Sequence, residues 1–552
     1  MATQFTAFFM SIVLLIGNLF AMLVPDAGEA KTVEELESYG YILEQKTTAD
    51  EIYAIEAGNI ADNELDTVIC LQGLVNKNEP KLYIIYDDVN LEYLLDYEQN
   101  GKKIIYENTN GQKWTLALLI EEFRDCITDG GYTLYRESEF AEGLNVACNY
   151  ATVYGWLAFP VELKDFAESC GLTLKMDFSE DTYNYLFQLR HFNKLKENFA
   201  DTAVVHVKTE KKGLRDLAIQ QNFWIGYSET NTFGESFMAT ILSYFGDNTA
   251  VLGWGETEIH FVEFLSKHKS FVIPTDHSKN NSYIANFKYG NIEQAHETTE
   301  ITADETKHYV ALCFSDGDNS QWIQNGYKEY FQKLALDYDF PMTWSFPEIQ
   351  QELSPASVKR VYSASNQNNY FVGSITGIGY SHITEYPVSA LSEYADMTAA
   401  ALLRSDTRIL SFLDELPSDV MLPTFLKKLS YFTRYDNVDG AILLLDPNGY
   451  SSGAGKVWFS NDKPLVSVRY SLWYPGDEGC DVPAEWLEER AEQINSMEAN
   501  IYSTEGYSLI NIHPWTISIE SLAYFVSQLD EHIELVTVDE LINLISENCP
   551  HE

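Results

Sequence analysis

The chain is short of positive charge: 36 Lys and Arg stand against 83 Asp and Glu, a net charge of −47 over 552 residues. No Lys/Arg cluster offsets this, so nucleic acid and anionic membrane surfaces are excluded as partners. The acids are spread along the chain rather than gathered in a tail, which reads as a solubilising surface. Cysteine is sparse. Cys70, Cys126, Cys148, Cys170, Cys313, Cys480 and Cys549 form an odd set with no CxxC pair, which excludes a disulfide scaffold and a zinc module but leaves room for one or two bridges among the first four in an exported protein. No HExxH, P-loop or GxSxG sequence is present, and Gly377-Ile-Gly-Tyr-Ser-His lacks the third glycine of a dinucleotide fingerprint. The residues imply no metal and no cofactor. Long apolar runs are missing except one, from Phe5 to Val24, followed by the small residues of Pro25-Asp-Ala-Gly-Glu-Ala30. Residues 1–30 are therefore expected to be a signal peptide for secretion to the extracellular space, or an anchor holding an ectodomain at a membrane if uncleaved. Asn280-Asn-Ser282 is a glycosylation sequon.

What is abundant is aromatic: 35 Tyr, 30 Phe and 10 Trp. Flat rings suit sugar-facing surfaces as well as ordinary cores. The length exceeds what one core usually supports, so several domains are expected. The spacing predicts three small α/β domains over 31–110, 111–200 and 201–295, with strands such as Lys81–Tyr86, Ala203–Val207, Ala250–Trp254 and Ser270–Pro274 between helical patterns. Gly253 and Gly255 flank Trp254 at a strand end, which marks a turn or a close ligand approach. A polar, acidic stretch without periodicity then leads through a linker at 296–307 into 308–548, a length that suits one β/α barrel.

That second half repeats a rhythm of apolar strand, polar strand end and helix. The strands are Tyr309–Phe314, Met342–Phe346, Tyr370–Thr376, Arg408–Leu413, Asp439–Leu445, Pro464–Val468, Tyr507–Ile512 and Glu534–Val538. The expected fold class is α/β, with a C-terminal (β/α) TIM-like barrel after small α/β domains; an open doubly wound sheet is the alternative. In such a barrel the working residues sit at the C-terminal ends of the strands. Ala311-Leu-Cys-Phe-Ser-Asp-Gly-Asp-Asn319 delivers two carboxylates, Asp316 and Asp318, around a glycine that lets the backbone turn. Asp414 and Glu415 end the fourth strand. These four are the catalytic candidates, for one carboxylic acid to protonate a leaving oxygen and a second carboxylate to attack or activate water. Trp344, Glu348, Tyr380, His382, Asp446, Arg469, Trp473, His513 and Trp515 are the substrate-binding candidates, with Trp344, Trp473 and Trp515 suited to sugar subsites.

Plain alternatives stand beside each. Asp316 could close an Asx-turn and Glu415 could cap a helix. Asp446-Pro-Asn-Gly449 is also a turn signal, and Arg469 could pair with a surface acid. A common glycosidase barrel places its acids after strands four and seven, whereas strand seven here ends in His513.

At Gly377-Ile-Gly-Tyr380 the chain resembles the GxGYxYP family of putative glycoside hydrolases, whose signature is Gly-x-Gly-Tyr-x-Tyr-Pro. Gly377, Gly379 and Tyr380 match it, His382 occupies the position of its second Tyr, and a Tyr-Pro pair appears only later, at Tyr386-Pro387. Phe314 to Asn319 with Gln321-Trp322, Met342-Thr-Trp344, Asp446-Pro and His513-Pro-Trp515 look like the family's barrel segments. Cys70-Leu-Gln-Gly-Leu-Val-Asn76 looks like its opening domain. The resemblance implies carbohydrate chemistry at a C-terminal barrel. The expectation is thus a glycoside hydrolase acting on an extracellular poly- or oligosaccharide. The alternatives are a catalytically silent glycan-binding surface protein and a metal-dependent polysaccharide deacetylase, although the latter's paired HxxxH histidines are missing.

Overall fold

The computed structural model describes residues 19–551 except 138–141, 291, 317–318, 332–337, 415–420, 447–448, 451–452 and 478–479; for 327–331, 445–446 and 449–450 the backbone alone is described. Three small parallel sheets precede a large one. The first is β1 (Glu51–Glu56), β2 (Leu82–Ile85) and β3 (Lys103–Ile105), in the order β2-β1-β3. The second is β4 (Gly131–Tyr135), β5 (Leu157–Pro160) and β6 (Thr173–Asp177), ordered β5-β4-β6. The third is β7 (Ala203–His206), β8 (Trp224–Gly226), β9 (Thr249–Gly253) and β10 (Ser270–Pro274), ordered β10-β9-β7-β8.

The Leu-Gln-Gly-Leu-Val-Asn stretch holds these units together. It lies on the helix Leu65–Val75, which packs against the helix Arg215–Gln221. A Cβ on Gly73 would sit 2.7 Å from the Cβ of Ile219 and 2.8 Å from the carbonyl of Asp216, so only glycine allows that approach. Gln72 donates to Asn280 at 2.7 Å, and Asn76 donates to the Ser282 hydroxyl at 2.9 Å. Asn280 also pairs both ways with the backbone of Ile84 and is 1% exposed. The sequon is therefore a buried clamp between the first and third sheets and offers no surface for a glycan. All seven cysteines are free; Cys70 and Cys148 meet in the core as hydrogen-bonded thiols.

The large sheet runs β11 (His308–Phe314), β12 (Met342–Phe346), β13 (Asn369–Gly373), β14 (Ile409–Leu413), β15 (Gly440–Asp446), β16 (Gly449–Tyr450), β17 (Val457–Ser460), β18 (Lys463–Leu472), β19 (Tyr507–Ile512) and β20 (Ile533–Val536). Seven parallel strands follow the order β13-β12-β11-β19-β18-β15-β14. A parallel bridge from Ile375, just past β13, to Ser411 of β14 nearly closes the ring. β20 pairs with β11 over its first four residues, His308 to Ala311, while β12 takes up Cys313 and Phe314 higher up. β11, β12, β13, β14 and β19 are buried along their whole length and mostly apolar, as strands covered on both faces are. The stretch before the barrel has no helix or strand among its described residues, yet it is pinned. Gln294 exchanges hydrogen bonds with the backbone of Phe371 on β13, and His296 lies 3.0 Å from Asp539.

Among the described residues no helix is long and apolar enough to cross a membrane. Most of the N-terminal apolar run lies outside the described residues.

Candidate active site

The third sheet is docked onto the rim of the barrel through the Gly-x-Gly-Tyr turn. Gly377 has φ +89°, and a Cβ there would lie 2.5 Å from the Thr398 hydroxyl. Gly379 is needed for a different reason: its Cβ would come 2.4 Å from the Phe271 ring and 3.0 Å from the Val272 carbonyl. The two missing side chains let Tyr380 pair antiparallel with Val272 of β10, its N–H donating to the Val272 carbonyl at 2.7 Å and its carbonyl accepting at 3.0 Å. The Tyr-Pro pair has a role of its own. Tyr386 donates to Asn248 at 2.7 Å, and Pro387 caps the helix Val388–Arg404.

A cleft of about 590 Å³ opens where the barrel's strand ends face the third sheet. The barrel contributes Asp316, Asn319, Tyr380, His382, Trp473, His513 and Trp515, and the third sheet's region contributes Trp254, Thr257, Glu258, Ile259 and Pro274. Asp316 holds a left-handed backbone, φ +65°, at the end of β11. Its carboxylate lies 3.4 Å from Nε2 of His513. His513 is stacked on Trp473, ring centres 3.7 Å apart and 7° from parallel, and its Nδ1 is 3.2 Å from the Thr516 hydroxyl. Burial lowers His513 to about 4, so the ring is neutral near pH 7. If Nδ1 accepts from Thr516, then Nε2 carries the hydrogen and presents it to Asp316.

Glu258 begins the helix Glu258–Lys267. The residue is exposed at the cleft. Partial desolvation raises its carboxyl above the ordinary range, against the hydrogen bond donated by the Tyr380 hydroxyl at 3.2 Å, which lowers it. Tyr380 in turn stacks on Trp254 at 6.4 Å and 25°. His382 is pushed to about 4 by burial and is likewise neutral.

The sequence candidates divide accordingly. Asp316, Tyr380, His382, Trp473, His513 and Trp515 line one cleft. Asp318 and Glu415 lie outside the described residues, as does the side chain of Asp446, whose backbone pairs with Gly449 in a hairpin. Four others sit elsewhere. Trp344 is 1% exposed, stacked on Phe314 at 4.3 Å and bonded to Asn369; a strand covered on both faces turns its Trp into the wall. Glu348 is buried under the Gly-x-Gly-Tyr turn, accepts from the Ser374 N–H, and is driven well above the carboxylate range by burial. Arg469 lies inside β18, which continues to Leu472, and it pairs with Glu505 at 3.3 Å.

Asp414 is 1% exposed and accepts from the Thr384 N–H at 2.8 Å. Beside it Lys428 donates to the carbonyls of Ile383, Thr384 and Tyr386, so the pair braces the 382–386 turn and does not line the cleft. Burial raises Asp414 to about 7, against the Thr384 hydrogen bonds and the Lys428 charge. A folded-state value above the unfolded one means stability that is present at low pH and lost as pH rises towards 7. Asp414→Asn removes that titration. Its stability relative to the parent should therefore climb between about pH 4 and 7, by roughly 1.4 kcal/mol per pH unit at most, and level off above. Urea unfolding of both proteins at pH 4.5, 6 and 7.5 checks this; a pH-independent difference would remove Asp414 from the linkage.

Sequence reasoning missed Glu258 and caught Trp254 only through its flanking glycines. Those glycines serve packing: a Cβ on Gly253 would fall 1.9 Å from the His206 carbonyl, and one on Gly255 would fall 2.3 Å from Phe261.

Residues 306–546 match the family model of the GxGYxYP putative glycoside hydrolase C-terminal domain, 201–286 that of the GxGYxYP third domain, and 51–125 that of the GxGYxYP N-terminal first domain. The chain belongs to the GxGYxYP family. The cleft thus lies between the family's third and C-terminal domains, and the Gly-x-Gly-Tyr of its name is the element that joins them. A crystal structure of a putative hydrolase from Bacteroides thetaiotaomicron VPI-5482 has the same fold, with a TM-score of 0.79 and 22% identity over 93% of this chain and 98% of that one. No curated protein matches the chain.

Proposed function

We propose that this GxGYxYP protein is an exported glycoside hydrolase, with Asp316 as the ionised carboxylate and Glu258 as the proton donor. The observation that carries the reading is that two carboxyl groups from different domains line one aromatic cleft. Asp316 lies 3.4 Å from Nε2 of His513, which places that ring to orient the carboxyl group. Glu258 is raised by desolvation, which favours its protonated form. In the first step Glu258 gives its proton to the glycosidic oxygen as the bond to the anomeric carbon breaks. Asp316 then either bonds to that carbon or takes a proton from the water that does, and water supplies the new hydroxyl. Asp318 and Glu415 are further carboxylates for this chemistry. Tyr380, His382, Trp473, His513 and Trp515 are the proposed substrate contacts. Export rests on the N-terminal apolar run.

The test is Glu258→Gln against leaving-group quality. On unactivated glycans kcat/KM should fall about 10²- to 10⁴-fold. Aryl glycosides whose phenol leaves without protonation should lose far less. An equal loss on both substrates would remove Glu258 as the acid.

A further inference from the structure

The cleft's charge determines which glycans it takes, an inference that rests on the glycosidase reading and narrows it. No Lys or Arg lines the cleft among the described residues; its acidic groups are Asp316 and, protonated in the proposed mechanism, Glu258, and both of its histidines are neutral near pH 7. Lysines on the segments that flank it, among the described residues, are paired. Lys211 is 3.0 Å from Asp276, Lys208 is 3.4 Å from Glu256, and Lys267 pairs with Glu263 and Glu385. Lys428 is buried against three backbone carbonyls. The stretches beyond the barrel strands at 317–318, 415–420, 447–448, 451–452 and 478–479 contain no Lys or Arg in sequence, and the whole chain carries −47.

Binding a uronate or sulfated sugar normally takes a guanidinium or ammonium at the carboxylate or sulfate, because an anion moved from water into a negative cleft loses hydration and meets repulsion. This cleft offers aromatic faces instead. Trp473 is 42% exposed on its stack with His513, Trp515 lies 4.3 Å from Trp322, and Trp254 stacks on Tyr380. An uncharged pyranose has apolar C–H faces that cover such rings, with hydroxyls left for Asn319, Gln321 and Thr257.

We infer that the substrate is an uncharged oligo- or polysaccharide, and that glycans bearing uronate or sulfate groups are rejected at this cleft.

The experiment pairs each of a set of neutral oligosaccharides with its C6-oxidised uronate counterpart. Calorimetric affinity is measured on the full chain carrying Glu258→Gln, and competition for turnover is measured on the unaltered protein. Each uronate should bind about tenfold more weakly than its neutral twin or worse, and the gap should shrink as salt is raised. A second arm is independent of sugar: caesium should quench the Trp473 fluorescence, taken as the difference from Trp473→Phe, better than iodide does. Uronates binding as tightly as their twins, or iodide quenching better, would overturn the inference. If no sugar of either kind binds while caesium keeps its advantage, the glycosidase reading falls and with it the neutral-glycan assignment, whereas the charge argument stands.

Discussion

Asp316→Asn should lower kcat/KM on a glycan substrate about 10³- to 10⁴-fold while shifting the melting temperature by no more than a few degrees. The separation of the two effects comes from the backbone. Asp316 sits at φ +65°, a region Asn enters with little cost, so the fold keeps its turn while the carboxylate is lost. Asp316→Ala would remove the same charge but add about 1–2 kcal/mol of left-handed strain. Comparing the two separates chemistry from stability. Steady-state kinetics with calorimetric melting of both variants is the measurement. Asn retaining activity within tenfold of the parent would place the reacting carboxylate elsewhere, with Asp318 next in line. The assignment also predicts a bell-shaped pH profile for kcat/KM, in which the acid limb follows protonation of Asp316 and the alkaline limb follows loss of the Glu258 proton.

Gly379→Ala should have the second largest effect, on the joint between the domains. The added methyl would meet the Phe271 ring at 2.4 Å and the Val272 carbonyl at 3.0 Å, and neither can move freely: one is packed in the core and the other belongs to β10. About 1–3 kcal/mol of destabilisation is expected. Activity should fall further than that loss alone implies, because the bridge that breaks is the one registering Glu258 and Trp254 against Asp316, and displacement by about 1 Å can cost on the order of 100-fold. Gly58→Ala, where a Cβ meets nothing within 4 Å, is the control and should be neutral. Gly379→Ala melting and turning over like the control would mean that the bridge does not position the cleft.

The barrel was legible because its strands are buried on both faces, which leaves continuous apolar runs that stop abruptly at polar ends. Those ends named Asp316, Tyr380, His382, His513 and Trp515, and all of them line the cleft, as does Trp473, which was singled out as a sugar-facing ring. The same reading overreached where a residue near a strand end pointed elsewhere. Trp344 lies two residues inside β12 and faces the wall. Arg469 looked terminal only because β18 runs on through Tyr470 and Ser471 to Leu472. Asp414 does end its strand, but Thr384 and Lys428 turn it into a brace.

Glu258 could not be found this way. An acid on the first turn of a helix is what the helix dipole favours anywhere, so its type and position carry no signal of chemistry. Local sequence determined the barrel, the ends of its strands and the acidic, cation-poor character of the surface, because those follow from hydrophobic periodicity and composition. The tertiary structure alone decided that Gly379 lets a strand of another domain approach, that this approach carries Glu258 and Trp254 to the barrel mouth, and that the cleft has two unlike walls. Contacts between residues more than a hundred positions apart depend on how surfaces pack, which no local pattern encodes.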